Sequence, residues 1–177
     1  MRQTTTPKTY EGVLNFWFGN KSSRNYLRQK SFWYGSPADD EYVRKHLGQT
    51  YSAAKAGDLD HWRSVGKGEG ALALILLFDQ VPRNIFRDTP EAYATDAKAL
   101  SVSRYTIEQG WDKKLPNIQR RYLYSPFNHS EDLEDQELSV RLFTELGDAY
   151  HLQWAKDFRD QIKQYGRFKH RDHILGR

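Results

Sequence analysis

Residues Ala71 to Arg87 read ALALILLFDQVPRNIFR, and the two halves of this stretch differ in character. Ala71 to Phe78 is the most apolar run in the chain, and Asp79, Gln80, Arg83, Asn84 and Arg87 follow directly. Such a run has to be buried, and it carries its polar end to the edge of the core or into it. By hydrophobicity alone, Ala71 to Gln80 fits a buried strand or a buried helix. Ala and Leu outnumber β-branched residues, which favours helix. Pro82 has no amide hydrogen and crowds the turn before it. It is therefore expected to kink this helix or to push Val81 out of helical geometry.

Amphipathic segments flank this centre on both sides. Upstream, Tyr10 to Phe18 reads as a short helix buried on most sides and stopped by Gly19 and Asn20. Lys21 to Gly35 has no period. Ser36 suits a helix cap, Pro37 the first helical position, and Asp39 and Asp40 the positive end of the helix dipole. Val43, Leu47, Tyr51 and Ala54 then line one face as far as Gly57. Asp58 to Arg63 adds a helical turn carrying Trp62, and residues 66–70 (GKGEG) read as a flexible turn.

Downstream, Thr89-Pro90-Glu91 opens a helix with Tyr93, Ala97, Leu100 and Ile107 on one face, closed by Gly110. Leu115-Pro116 opens a shorter one with Ile118 and Leu123 inward, which Ser125-Pro126-Phe127 is expected to end. Asn128 and Glu131 have capping-box spacing for the next helix, whose ladder is Leu138, Leu142 and Leu146. Past Gly147-Asp148, Tyr150, Trp154, Phe158 and Ile162 form a second ladder that ends at Tyr165-Gly166. The tail from Arg167 is basic and aperiodic. Nowhere is there alternation long enough for a sheet. The expectation is an all-α fold of antiparallel helix pairs, one domain over residues 10–177 with a flexible segment at 1–9.

Composition narrows the function classes. An aromatic content of 14%, with 5 Trp and 11 Tyr, argues against disorder. The sequence has 0 Cys, which excludes disulfides, thiolate nucleophiles and Cys-ligated metals. The first residues, MRQTTTPKTYEG, lack the apolar core of a signal peptide. The longest apolar run falls well short of the roughly 20 residues that span a bilayer. A soluble, cytoplasmic protein without a membrane partner is expected. The net charge of +4 is spread thinly and no recognition motif accompanies it, so a nucleic-acid partner is not expected either.

Three segments together carry a family resemblance: LLFDQVPRNIFRDTPEAYATDAKAL at 76–100, YSPFNHSEDLEDQELSV at 124–140 and YGRFKHRDHILGR at 165–177. With LNFWFG at 14–19, they resemble the uncharacterised family catalogued as domain of unknown function 924. The resemblance implies a tetratricopeptide-like α–α superhelix and no particular reaction. The family pattern falls on Asp79, Gln80, Arg83, Asn84, Arg87 and Asp96, on His129, Ser130, Glu131 and Asp132, and on Gly166, Arg167, Phe168, His170 and Arg171. This chain departs from it with Lys169 where Pro is usual, Asp172 where Asn is usual, and Phe158 in place of a His.

Each motif has a chemical and a structural reading. Asp79 and Arg83 are four residues apart, as are Gln80 and Asn84, and Arg83 and Arg87, so each pair shares a helix face. Arginines there suit carboxylate or phosphate, with Asp79 orienting one of them; the same residues also make a structural ion-pair network. His129 beside Glu131 is the candidate acid–base pair, while Asn128, Ser130, Glu131 and Asp132 fit a helix start without any ligand. Arg167, His170 and Arg171 complete a cationic pocket or form a solvated basic tail. No metal-binding spacing, phosphate loop or nucleophile motif is present, and the sequence leaves any cofactor unknown. The leading expectation is a partly buried pocket where the three motifs meet. Asp79, Gln80, Arg83, Asn84, Arg87, Arg167, His170 and Arg171 would hold a small anionic or carboxylate-bearing ligand there, with His129 and Glu131 for catalysis. The alternative is a peptide- or protein-binding module without catalysis.

Overall fold

Helix starts in this protein are set by side chains that satisfy the first free amides. In the computed structural model, residues 6–177 are described. Thr9 accepts from the Gly12 amide and opens α1, Tyr10–Phe18. Ser36 and Asp39 form a reciprocal capping box that opens α2, Pro37–Ala56, with Pro37 in the first turn and a left-handed Gly57 at the end. Val43, Leu47, Tyr51 and Ala54 are the buried face of α2. The chain then passes through 3-10 turns at Asp60–Ser64 and Gly66–Gly68 into the central stretch.

That stretch is α3, Glu69–Ile75, followed by a π-helical turn, Leu76–Gln80, and then α4, Val81–Ile85. Every residue of α3 after Glu69 is buried, because α1, the 60–64 turn and the later helices α5 (Asp96–Glu108) and α6 (Asn117–His129) pack around it. A helix enclosed on all sides is apolar all round, as this one is. Gly70 permits the approach: a Cβ there would lie 2.2 Å from the Trp62 carbonyl oxygen.

Pro82 does not break the helix. Val81, expected to leave helical geometry, has φ −57° and ψ −45°. The π turn, in which the Val81 amide reaches back to the Leu76 carbonyl, adds a residue just ahead of the proline. The Phe78 carbonyl, which an amide at position 82 would otherwise serve, accepts instead from the Thr95 hydroxyl at 2.6 Å. Thr95 immediately precedes α5, and Thr89-Pro90-Glu91 opens only a 3-10 turn at Pro90–Tyr93.

Pro126 is accommodated as well. The expected break at 125–127 is absent and α6 runs on to His129, with the Ser103 hydroxyl of α5 donating to the Leu123 carbonyl, the neighbour of the Tyr122 carbonyl that Pro126 leaves without an amide. Asn128 therefore lies in the last turn of α6 rather than capping the next helix. Asp132 is the cap of α7, Leu133–Leu146, because its carboxylate accepts from both the Glu134 and Asp135 amides. The Asn128 side chain is buried and accepts from the Ser139 hydroxyl instead. Gly147 and Asp148 turn the chain into α8, Ala149–Tyr165, whose contact with α7 is the most extensive between any two helices. A connection that short makes them an antiparallel pair. On α8 the expected aromatic ladder is buried only at its far end: Tyr150 is 61% and Trp154 41% exposed, whereas Ile162 is buried. The tail forms a 3-10 turn at Lys169–Arg171 and a last short helix, α9, Asp172–Leu175.

The described residues contain helices and turns and no strand. Of the segment expected to be loose, residues 1–5 lie outside the description. Pro7 and Thr9 are held, the former by the Thr50 hydroxyl donating to its carbonyl at 2.8 Å.

Thr95→Val keeps the side-chain shape but leaves the Phe78 carbonyl buried and without its donor, so a loss of about 1–3 kcal/mol is expected in urea unfolding. Thr106→Val is the control. Its buried hydroxyl donates to the Val102 carbonyl, which lies one regular turn back within α5, and the change should cost much less.

Candidate functional site

The π turn sets two consecutive side chains, Asp79 and Gln80, against α6. Asp79 is completely buried. Its Oδ1 accepts from His129 Nδ1 at 2.6 Å, and its Oδ2 accepts from Gln80 Nε2 at 2.7 Å and Ser125 Oγ at 3.0 Å. Arg83, one turn further on, lies 3.5 Å from Oδ1 and donates to the Asp79 backbone carbonyl at 2.7 Å. Burial by itself pushes the Asp79 carboxyl up. The charges of His129 and Arg83, with the hydrogen bonds from His129 and Gln80, outweigh it and hold the group below the ordinary carboxylate range. An ionised carboxylate only accepts, so His129 Nδ1 carries the proton and Nε2 is the ring nitrogen left for a ligand.

Behind this pair stand two arginines in different states. Arg83 is held in a fork by Asp96, at 2.7 and 2.9 Å. Arg171 is 7% exposed and lies between the rings of Tyr93 and Phe168, each centred 4.6 Å from its guanidinium carbon. Its one hydrogen bond among the described residues runs from NH2 to the His129 carbonyl at 3.1 Å. Asp96 is 3.9 Å away, and Nε is buried with no partner among those residues. Burial, and next the repulsion of Arg83, push the Arg171 pKa down. His170 is lowered in the same way, by burial and then by Arg171.

Arg83, Tyr93, His129, Phe168, His170 and Arg171 are walls of one cleft of about 320 Å³. A second cleft of about 190 Å³ shares Asn128, His129 and Phe158 with the first and is lined further by Gln80, Ser125 and several aromatic rings. Asp79, Gln80, Arg83, His129, His170 and Arg171, from three distant segments, thus meet around one histidine.

The other candidate residues lie elsewhere. Asn84 turns away, donating to Asp40 at 3.0 Å and to the Phe32 carbonyl at 3.1 Å. Arg87 reaches the rim of the larger cleft but is held by Asp40, at 2.6 and 2.8 Å. Gly35 makes room for it, since a Cβ there would sit 2.3 Å from an Arg87 nitrogen, and its φ of +54° is left-handed.

Glu131 is not the partner of His129. It accepts from the Phe168 amide at 2.9 Å and from Arg177 at 2.8 Å, and so ties down the tail. Arg167 pairs with Asp172 at 3.0 Å and lines neither cleft. Of the departures from the family pattern, Lys169 stacks over Tyr165 at 3.9 Å, Asp172 holds Arg167 and Arg177, and Phe158 lies where the clefts join. Sequence reasoning missed Asp40 as the partner of Arg87, Ser125 as a donor to Asp79, and Tyr93 as a cleft wall. Each had an adequate local explanation, as a helix-dipole residue, a turn residue and a core-face residue. No local spacing rule reaches across those distances in sequence.

The chain belongs to an all-helical family without an established activity. Residues 13–177 match the family described as "Bacterial protein of unknown function (DUF924)". Among solved structures, the chain is similar to the protein of unknown function ATU0120 from Agrobacterium tumefaciens. The identity is 34%, the TM-score is 0.82, and the match covers 95% of this chain and 90% of the other. No curated protein matches it. No helix among the described residues is long and apolar enough to cross a membrane.

Asp79→Ala strips four polar side chains of a shared buried acceptor. Urea unfolding should show a loss of about 3–5 kcal/mol, the range for breaking a buried charge pair on one side.

Proposed function

We propose that the larger cleft binds a small anionic molecule, carboxylate- or phosphate-bearing, and that the Asp79–His129 pair serves it as general acid and base. The observation that carries this reading is Arg171, a cation more than nine-tenths buried with a single hydrogen bond among the described residues. Burying a charge is costly unless something compensates it. The two carboxylates nearest Arg171 are otherwise engaged, Asp96 by Arg83 and Glu131 by Arg177 and the Phe168 amide. An anion in the cleft would add a close counter-charge to the more distant one of Asp96, 3.9 Å away, and accept from the free Nε–H.

His129 lines the same space, and Asp79 fixes its tautomer and orientation through Nδ1, leaving Nε2 free, the relation a base bears to its orienting carboxylate. The hydroxyl nearest this pair, Ser125, donates to Asp79 rather than to His129. The reading therefore assigns His129 to proton transfer with water or with the ligand itself, not to activating a serine. This replaces Glu131 by Asp79 as the second member of the pair.

A peptide-binding role without catalysis, in keeping with a tetratricopeptide-like superhelix, is the second reading. The exposed Tyr150 and Trp154 on α8 favour it, since aromatic rings of that kind line peptide grooves. It predicts that peptides ending in a free carboxylate bind better than small carboxylates of any kind.

Small carboxylates and phosphates screened by thermal shift should raise the melting temperature of the wild type. Arg171→Met, which keeps the packing between Tyr93 and Phe168, should lose that rise. A rise unchanged in the variant places the anion elsewhere. His129→Gln should keep the rise while losing any turnover found with the ligand.

Binding should also take up a proton. His170 is kept neutral by burial and by Arg171, Arg83 and His129, against the opposing pull of Glu131. A bound anion favours its charged form, so affinity should grow as the pH falls from 8 to 6. Calorimetry in buffers of differing ionisation enthalpy would register the uptake. In the free protein the same depression means that the folded state binds fewer protons than the unfolded chain. The His170 contribution to stability is then flat above its unfolded pKa of about 6.5 and becomes a penalty as the pH falls through that value.

A further inference from the structure

The smaller cleft has a different chemistry from the larger one. Its sides are the rings of Trp33, Tyr34, Tyr122, Phe143, Trp154 and Phe158. Its polar groups at one end are committed to one another: His151 Nδ1 lies 2.8 Å from Asp148, and Arg121 lies 3.4 Å from His151 and 3.8 Å from Asp148. At the other end, next to His129, polar groups remain available.

Gln80 directs its amide nitrogen to Asp79 and Ser125, which leaves its carbonyl oxygen as an acceptor. Asn128 uses its carbonyl oxygen to accept from Ser139, and its side-chain nitrogen has no hydrogen bond among the described residues although the residue is 8% exposed. Asn128, His129 and Phe158 belong to both clefts. Tyr34 and Trp154 are 55% and 41% exposed and stand in the wall of the smaller cleft, large rings left in water at its mouth. Its volume of about 190 Å³ is below the range of about 300–1,000 Å³ usual for a small-molecule site, whereas the larger cleft is already within it.

We infer that the two clefts are halves of one site and that its ligand is a bipartite molecule, an aromatic or similarly flat apolar group joined to an anionic group. The anion lies against Arg171, and the ring lies between the side chains of the smaller cleft. The linking atoms fall beside His129 Nε2, the Asn128 side-chain nitrogen and the Gln80 carbonyl oxygen. A base, a donor and an acceptor at that point are the groups needed to move a proton at a polar linking atom and to steady charge that develops on it. This inference rests on the anion-binding reading and adds the second half of the ligand.

Isothermal titration with paired probes separates the two. Inorganic phosphate and acetate report the anion half alone; phenyl phosphate and 3-phenylpropionate report both halves. In the wild type each aryl probe should bind at least about tenfold more tightly than its small counterpart, because ring burial adds to the anion contact. Trp154→Ala, at a side chain exposed enough for the fold to tolerate it, should erase that preference while phosphate still binds. Arg171→Met should weaken all four probes.

Equal binding of phosphate and phenyl phosphate by the wild type overturns the bipartite ligand and leaves the anion reading standing. An aryl preference that survives both Trp154→Ala and Phe158→Ala overturns the placement of the ring. Binding of none of the four overturns both readings.

Discussion

A carboxylate with no access to water must be served wholly by protein groups, and the Asp79 side chain imposes that requirement on much of this molecule. It draws in the amide of its neighbour Gln80, the hydroxyl of Ser125, the imidazole of His129 and, less closely, the guanidinium of Arg83. Those donors lie on the central helical stretch and on α6, so the charge pins two elements that are distant in sequence. The cost of desolvation is met only if all of them are in place. Arg83 then needs Asp96 at the start of α5, and His129 is oriented while its carbonyl takes up Arg171 from the tail. One buried charge thus propagates a chain of obligations through the central stretch, α5, α6 and the tail.

The backbone around Asp79 is irregular for a related reason. A regular helix turns successive side chains by about 100°, yet Asp79 and Gln80 both reach Ser125. The π turn accommodates that, and it also prepares the chain for Pro82, which gives the Phe78 carbonyl no amide and leaves it to the Thr95 hydroxyl. The backbone irregularity and the candidate site occupy the same few residues, a common situation for π turns.

How much of this was legible in the sequence depended on distance along the chain. Local rules worked where both partners lie within a few residues: the Ser36–Asp39 box, the left-handed Gly57 and the apolar face of α2 follow directly from spacing. They worked less well where a remote group decides the outcome. Pro82 looks like a break because its compensating hydroxyl, on Thr95, is supplied across the fold, and Pro126 looks like one although α6 continues through it. Asn128 and Asp132 are both acceptable caps, and only the burial of Asn128 against Ser139 decides between them. For the candidate site, the charged end of the central stretch was visible as a stretch that had to matter. The companion of His129 was not, because Glu131 is two residues away in sequence and Asp79 is fifty. In space the order is reversed.

The tail contributes a wall rather than an appendage. Phe168, His170 and Arg171 form one side of the larger cleft, and Glu131 anchors them through the Phe168 amide and Arg177. During synthesis the central stretch, α5 and α6 are made before these residues. A nascent chain can thus bury its apolar core while the cleft is still open on one side. Until the tail arrives, the cleft beside His129 lacks Phe168, His170 and Arg171, so the nascent chain can acquire its core before the cleft acquires this cationic wall.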